Sequence, residues 1–133
     1  MLSLFPQLFA FQELAPLAIR LTLALIFIVH GFPKLFLARL QTAQFFEQIG
    51  LKPAKFWTLA VGSAEFFGGI FLFFGIFTQA AAGLIVLVML GAIALVKRKQ
   101  GFVNGWEFDL ALLVMALSLL ALGPGAFSLD FPF

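Results

Sequence analysis

The chain has 133 residues, 63% hydrophobic and only 11% charged, with a net charge of +2 and a mean hydropathy of +1.13. Soluble domains carry about 25% charged residues, so a large soluble catalytic domain is excluded, and eight basic residues near segment ends fit anionic headgroups better than nucleic acid. With no cysteine there is no disulfide, thiolate nucleophile or iron–sulfur ligand set, so any redox chemistry comes from a bound cofactor or a partner.

The pattern predicts an all-α membrane protein, a four-transmembrane-helix bundle preceded by a short amphipathic segment. Leu2 to Ala15 places Phe5, Leu8, Phe9 and Phe11 around Pro6, Gln7, Gln12 and Glu13. It lacks the basic n-region and small-residue cleavage site of a signal peptide, and reads as an interfacial segment, either a short helix or an extended anchor. The first span covers 17–37, followed by a longer connection, Ala38 to Lys55, with a turn signal at Gly50-Leu51-Lys52-Pro53. The second span covers 56–77 and the third 78–96, joined so tightly that they form an antiparallel hairpin. A polar loop, Lys97 to Gly101, leads to the fourth span at 106–123. Each approaches the roughly 20 residues that cross a bilayer as helix, and helices satisfy their own backbone groups in lipid. The whole chain, 1–133, reads as one membrane domain.

Alternating spans put Lys34, Arg39, Lys52, Lys55, Lys97, Arg98 and Lys99 on one side and Arg20 on the other. The positive-inside rule makes the first side cytoplasmic, so both termini face outward. The lipid bilayer is the first partner, a bacterial cytoplasmic (inner) membrane is the expected location, and a homo-oligomer is compatible with this reading.

Glu65 stands near the middle of the second span, where an ionisable group costs roughly 2.5 kcal/mol or more unless compensated. Candidate partners lie on the first span: Arg20, Phe27, Gly31 and Lys34 recur at helical spacing on one face, with His30 beside them. On the second span Thr58, Gly62, Glu65 and Gly69 share a face. Glu65 is roughly 13 Å from the Phe56 end and His30 roughly 9 Å from the Phe36 end, at 1.5 Å per residue, so the two can meet. Glu107 and Asp109 open the fourth span on the same side.

Each has a structural reading too. Glu65 can fix helix register through an ion pair, His30 can make an interhelical hydrogen bond, and Arg20 and Lys34 can snorkel. Glu107 and Asp109 are interface or helix N-terminal charges, while Trp57 and Trp106 are belt anchors. Gly31, Gly62, Gly68 and Gly69 let helices approach closely, and Gly83 and Gly91 offer a similar face on the third span. A lone histidine without cysteine completes no common metal set, so no metal site is expected.

The series Arg20, His30-Gly31-Phe32-Pro33-Lys34-Leu35-Phe36, Val61-Gly62-Ser63-Ala64-Glu65-Phe66-Phe67-Gly68-Gly69, Gly105-Trp106-Glu107-Phe108 and Gly123-Pro124-Gly125-Ala126-Phe127-Ser128-Leu129-Asp130 resembles the DoxX family of small four-helix membrane proteins. The resemblance covers nearly all of the chain after about residue 17. It implies association with redox membrane systems, because family members or relatives belong to quinol-oxidase or thiosulfate:quinone oxidoreductase assemblies, and others to oxidative-stress complexes. Many members have no assigned activity, and eukaryotic relatives include cargo receptors. Carried over residue by residue, the family pattern marks Arg20, His30, Lys34, Glu65 and Glu107 as a polar cluster. Trp106 stands where the pattern expects a tyrosine-like residue, so a phenol role there is absent.

Three functions are compatible with these residues. One is a quinone-associated redox subunit, in which His30, Lys34 and Glu65 hydrogen-bond a quinone and handle its proton while a redox-enzyme partner moves the electrons. Catalysis by the isolated chain is not expected, and no catalytic residue is assigned. The others are a noncatalytic membrane scaffold, and a small-molecule or proton transporter, which lacks the expected inverted repeat.

Overall fold

A computed structural model describes residues 3–130, so Leu2 of the expected interfacial segment lies outside the described residues. That segment forms a 3-10 turn, Pro6–Phe11, with no buried residue. Its Phe5, Leu8, Phe9 and Phe11 are all exposed, as an interfacial anchor requires.

Among the described residues every regular element is helical. Helix α1 is Leu14–Phe32 and α2 is Arg39–Gln48. Helices α3, α4 and α5 are Ala54–Phe74, Thr78–Leu95 and Glu107–Leu122. Four stretches are long and apolar enough to cross a bilayer: Leu14–Leu37, Ala54–Phe74, Thr78–Leu95 and Phe102–Leu122. The molecule is a four-span helical membrane protein, and its outer surface is apolar where a soluble bundle would be polar: Leu25, Val29, Leu87 and Val114 are exposed.

The element ends have local causes. Pro33 lacks an amide proton, and after it the chain widens into a π turn, Pro33–Leu37, closed by the Ala38 amide on the Pro33 carbonyl at 2.6 Å. Helix α3 stops at Phe74, earlier than the expected end at 77, because Gly75 turns left-handed at φ 67°. The Ile76 amide then reaches back to the Phe71 carbonyl at 2.9 Å, a Schellman ending. Before α5 the chain kinks through Val103, Asn104 and Gly105.

Helix α2 occupies what reads in sequence as a connection. It folds by burying Ala43 and Phe46 against α3, so tertiary burial rather than a strong apolar stripe holds it. The bundle packs α1 most extensively against α3, and α4 against α5. Leu23, Ala24 and Phe27 of α1 meet Leu72, Ile85 and Leu119 in a fully buried core.

Glycine decides where helices touch. A Cβ on Gly31 would stand 2.5 Å from the Phe66 amide nitrogen, and one on Gly69 would stand 2.8 Å from Ile28 Cγ1. Gly62 is nearly as close to Leu35, at 3.0 Å. Gly68 is in ordinary contact, 3.9 Å from Ile85, and Gly83 and Gly91 face open space. Close helix approach therefore runs along α1 and α3, through Gly31, Gly62 and Gly69, and not along α4.

Candidate functional site

Glu65 is brought to Lys34. The Lys34 ammonium donates to Glu65 Oε1 at 2.8 Å and Oε2 at 2.7 Å, joining α3 to the π turn after α1. Gly62, one helical turn before Glu65, lets Lys34 Cβ and Leu35 approach α3 closely. The Glu65 side chain is 4% exposed and that of Lys34 26%. The carboxylate is thus fully compensated, while the ammonium, with three donors and two engaged, keeps one N–H on an open side.

That open side is a cavity of about 550 Å³ between α2, α3 and the end of α4. Phe45 and Phe46 of α2, Trp57 and Val61 of α3, and Val88, Ala92 and Leu95 of α4 form its apolar walls. Lys34 and Glu65 line it, together with Gln41, Thr42 and Lys97. An apolar cleft of a few hundred cubic ångströms with a few convergent polar groups is the usual form of a small-molecule site.

His30 is exposed on the flank of α1, and its Nδ1 lies 2.7 Å from the Ile26 carbonyl oxygen one turn back. Because that oxygen can only accept, Nδ1 carries the proton and Nε2 is the free ring nitrogen. Glu107 lies at the start of α5, where its Oε1 accepts the Asn104 amide at 3.2 Å and so ties the kink to the helix without capping it.

Arg20 is not joined to this group. Fourteen residues from Lys34, it is roughly 21 Å away along the helix axis, fully buried at the opposite end of the bundle. Its guanidinium donates to five backbone carbonyls: Leu72 at 2.7 Å and Phe73 at 2.8 Å, at the end of α3, and Pro124, Ala126 and Phe127 of the tail. The tail is tied down further by Asp130, whose carboxylate accepts the Phe77 and Thr78 amides at 2.7 and 2.9 Å. The motif from Gly123 to Asp130 is therefore a clasp over the ends of α1, α3 and α4.

Asp109 is the residue that sequence reading undervalued. It is 6% exposed and lies within electrostatic reach of Lys97, His30 and Lys34. The signal was present: Asp109 shares its α5 face with Leu112, Leu113, Ala116 and Leu119, all buried, whereas Glu107 is two residues round the helix. Among the described residues no group of three histidine, aspartate or glutamate side chains is placed to hold a metal ion.

A four-span helical bundle with one intramembrane ion pair at the foot of an apolar cavity defines a class of small integral membrane proteins. Within that class the chain belongs to the DoxX family, whose model matches residues 15–98. It is 37% identical to a Bacillus subtilis protein named "Putative oxidoreductase CatD", over 89% of this chain and 86% of that one. It is 30% identical to a Mycobacterium tuberculosis protein named "Uncharacterized membrane protein Rv3486", over 86% of this chain and 78% of that one. No solved structure matches the chain.

Proposed function

We propose that this protein binds a quinone in the α2–α3–α4 cavity and presents it to a redox-enzyme partner in a bacterial cytoplasmic membrane. The observation that carries the reading is the Lys34–Glu65 pair at the wall of an apolar, aromatic-lined cavity. A bound quinone supplies two-electron, two-proton redox chemistry. Lys34, with one N–H left over, donates to a ring oxygen. Glu65, held by two contacts to the same ammonium, accepts or returns a proton through it. Phe45, Phe46 and Trp57 exclude water and pack the ring. His30, exposed on the flank of α1, is not among the residues that line this cavity, so the proton chemistry falls to Lys34 and Glu65. The oxidoreductase name of the Bacillus subtilis relative supports a redox setting. Electrons come from the partner, since the chain has no cysteine and one histidine with which to hold a centre of its own.

The test is saturable binding of a quinone analogue to the purified full chain. Wild-type protein binds it, and Lys34→Met and Glu65→Gln lose most of that binding. Absence of saturable binding to folded wild-type protein overturns the reading. A scaffold role is the second reading, favoured by the fact that both carboxylate oxygens of Glu65 are already engaged. It predicts that a Lys34→Met/Glu65→Leu double variant still retains a copurifying partner.

A further inference from the structure

The charges that line the cavity do not balance. Lys34 and Glu65 neutralise one another at 2.7 Å, and Gln41 and Thr42 are uncharged. That leaves Lys97. Of the three bases in the Lys97–Gln100 turn after α4, Arg98 and Lys99 are exposed, whereas Lys97 is half-buried and lines the cavity. Among the described residues it makes no ion pair within contact distance. Asp109 lies within its electrostatic reach but outside the lining, and Glu47 is exposed on α2. Glu65 is thus the one carboxylate among the residues that line the cavity, and it is already paired with Lys34.

We propose that Lys97 is a specificity-determining residue that makes the cavity select a ligand with an ionised acidic head, so that the quinone it takes is one whose ring carries an ionised hydroxyl. This rests on the quinone reading above for the ring and on the lining charges for the anion. Lys97 is half-buried and lines a cavity that is otherwise mostly apolar, and a charge-assisted hydrogen bond to an anionic oxygen is roughly twice as strong as one to a neutral oxygen. A neutral quinone leaves Lys97 unpaired when it displaces cavity water. An ionised hydroxyquinone does not.

The experiment is calorimetric titration of the detergent-solubilised full chain with two ligand pairs, at a pH where the acidic member of each is ionised. The first pair is a 2-hydroxy-1,4-naphthoquinone and its 2-methoxy analogue. The second is laurate and dodecanol, which carry the charge difference without a quinone ring. Wild-type protein prefers the anionic member of each pair by about tenfold or more, the ratio that one charge-assisted contact supplies. Lys97→Gln brings both ratios to within about twofold, by weakening the anionic ligands and, with no unpaired ammonium left in the lining, binding the neutral ones no more weakly than wild type does, and Arg98→Gln on the exposed side of the same turn changes neither ratio. Preference for laurate with no binding of either naphthoquinone retains the charge selection and removes the quinone reading. Equal affinities within both pairs, binding of none of the four ligands, or full selectivity in Lys97→Gln, overturns the proposal.

Discussion

Lys34 and Glu65 are unequal partners, because the carboxylate is sealed in the bundle while the ammonium looks into the cavity. Lys34→Met leaves a buried, unpaired carboxylate and is expected to cost about 3 to 5 kcal/mol. Glu65→Gln leaves an ammonium that still meets an amide oxygen and an open cavity, so its expected cost is about 1 to 2 kcal/mol. Denaturant titration in mild detergent reads the difference, and equal losses would show that the two side chains are equally sealed. At the other end of the bundle Asp130 provides a pH test. Burial alone would raise its carboxyl, but the Thr78 and Phe77 amides that donate to it and the Arg20 charge outweigh it and hold the group below the usual carboxylate range. A lowered folded-state pKa means that the unfolded chain binds more protons, so the stabilisation is present above about pH 4 and is lost as pH falls through the folded-state value. The protection of the Phe77 and Thr78 amides against hydrogen exchange, taken relative to the intrinsic rate at each pH, should fall on acidification in wild-type protein. In Asp130→Asn that protection should be low throughout and without the pH step.

At the scale of elements, glycine separates contacts that composition makes look alike. Gly31→Ala and Gly69→Ala drive a Cβ into the backbone or side chains of the facing helix, so α1 and α3 must separate. Both variants should lose folded yield and thermal stability. Gly83→Ala meets nothing within 4 Å and gains helix propensity of up to about 1 kcal/mol, so it should match or exceed wild type. A Gly83→Ala variant as damaged as Gly31→Ala would mean that α4 packs against something other than its own bundle. Helix α2 makes the complementary point. Its sequence mixes Gln41, Gln44, Glu47 and Gln48 with only scattered apolar residues, and the two that are buried, Ala43 and Phe46, are three apart on one turn. They hold α2 in place only because α3 is there to receive them, and Phe46 with its neighbour Phe45 then forms one wall of the cavity.

For the whole molecule the open question of orientation has a direct test, since no native cysteine interferes. Single cysteines at Gln7, Gln48 and Gln100, all exposed, report the two ends. With both termini outward, an impermeant thiol reagent applied to intact cells labels Gln7→Cys and spares Gln48→Cys and Gln100→Cys. The reverse pattern would invert the protein, and with it the side on which the cavity and Lys97 face.

Membrane class, four spans and the tight α3–α4 hairpin were legible in the sequence because lipid imposes a length and an apolarity that one dimension records. The depth of Glu65 was legible for the same reason: a charge in an apolar run is visible without a fold. Its partner was not. Arg20, His30 and Lys34 all recur on or beside one face of α1, and helical spacing gives direction around an axis but not the height at which a neighbour crosses. The structure resolved this by placing Gly62 and Glu65 against the turn after Pro33, while Arg20 was taken by carbonyls of a tail more than a hundred residues away. The sequence by itself determined which residues are costly to bury in a membrane. Which of them are paired, which are clasped by backbone and which are left facing a cavity was decided by tertiary packing, because compensation of a buried charge depends on distances between segments that local pattern does not encode.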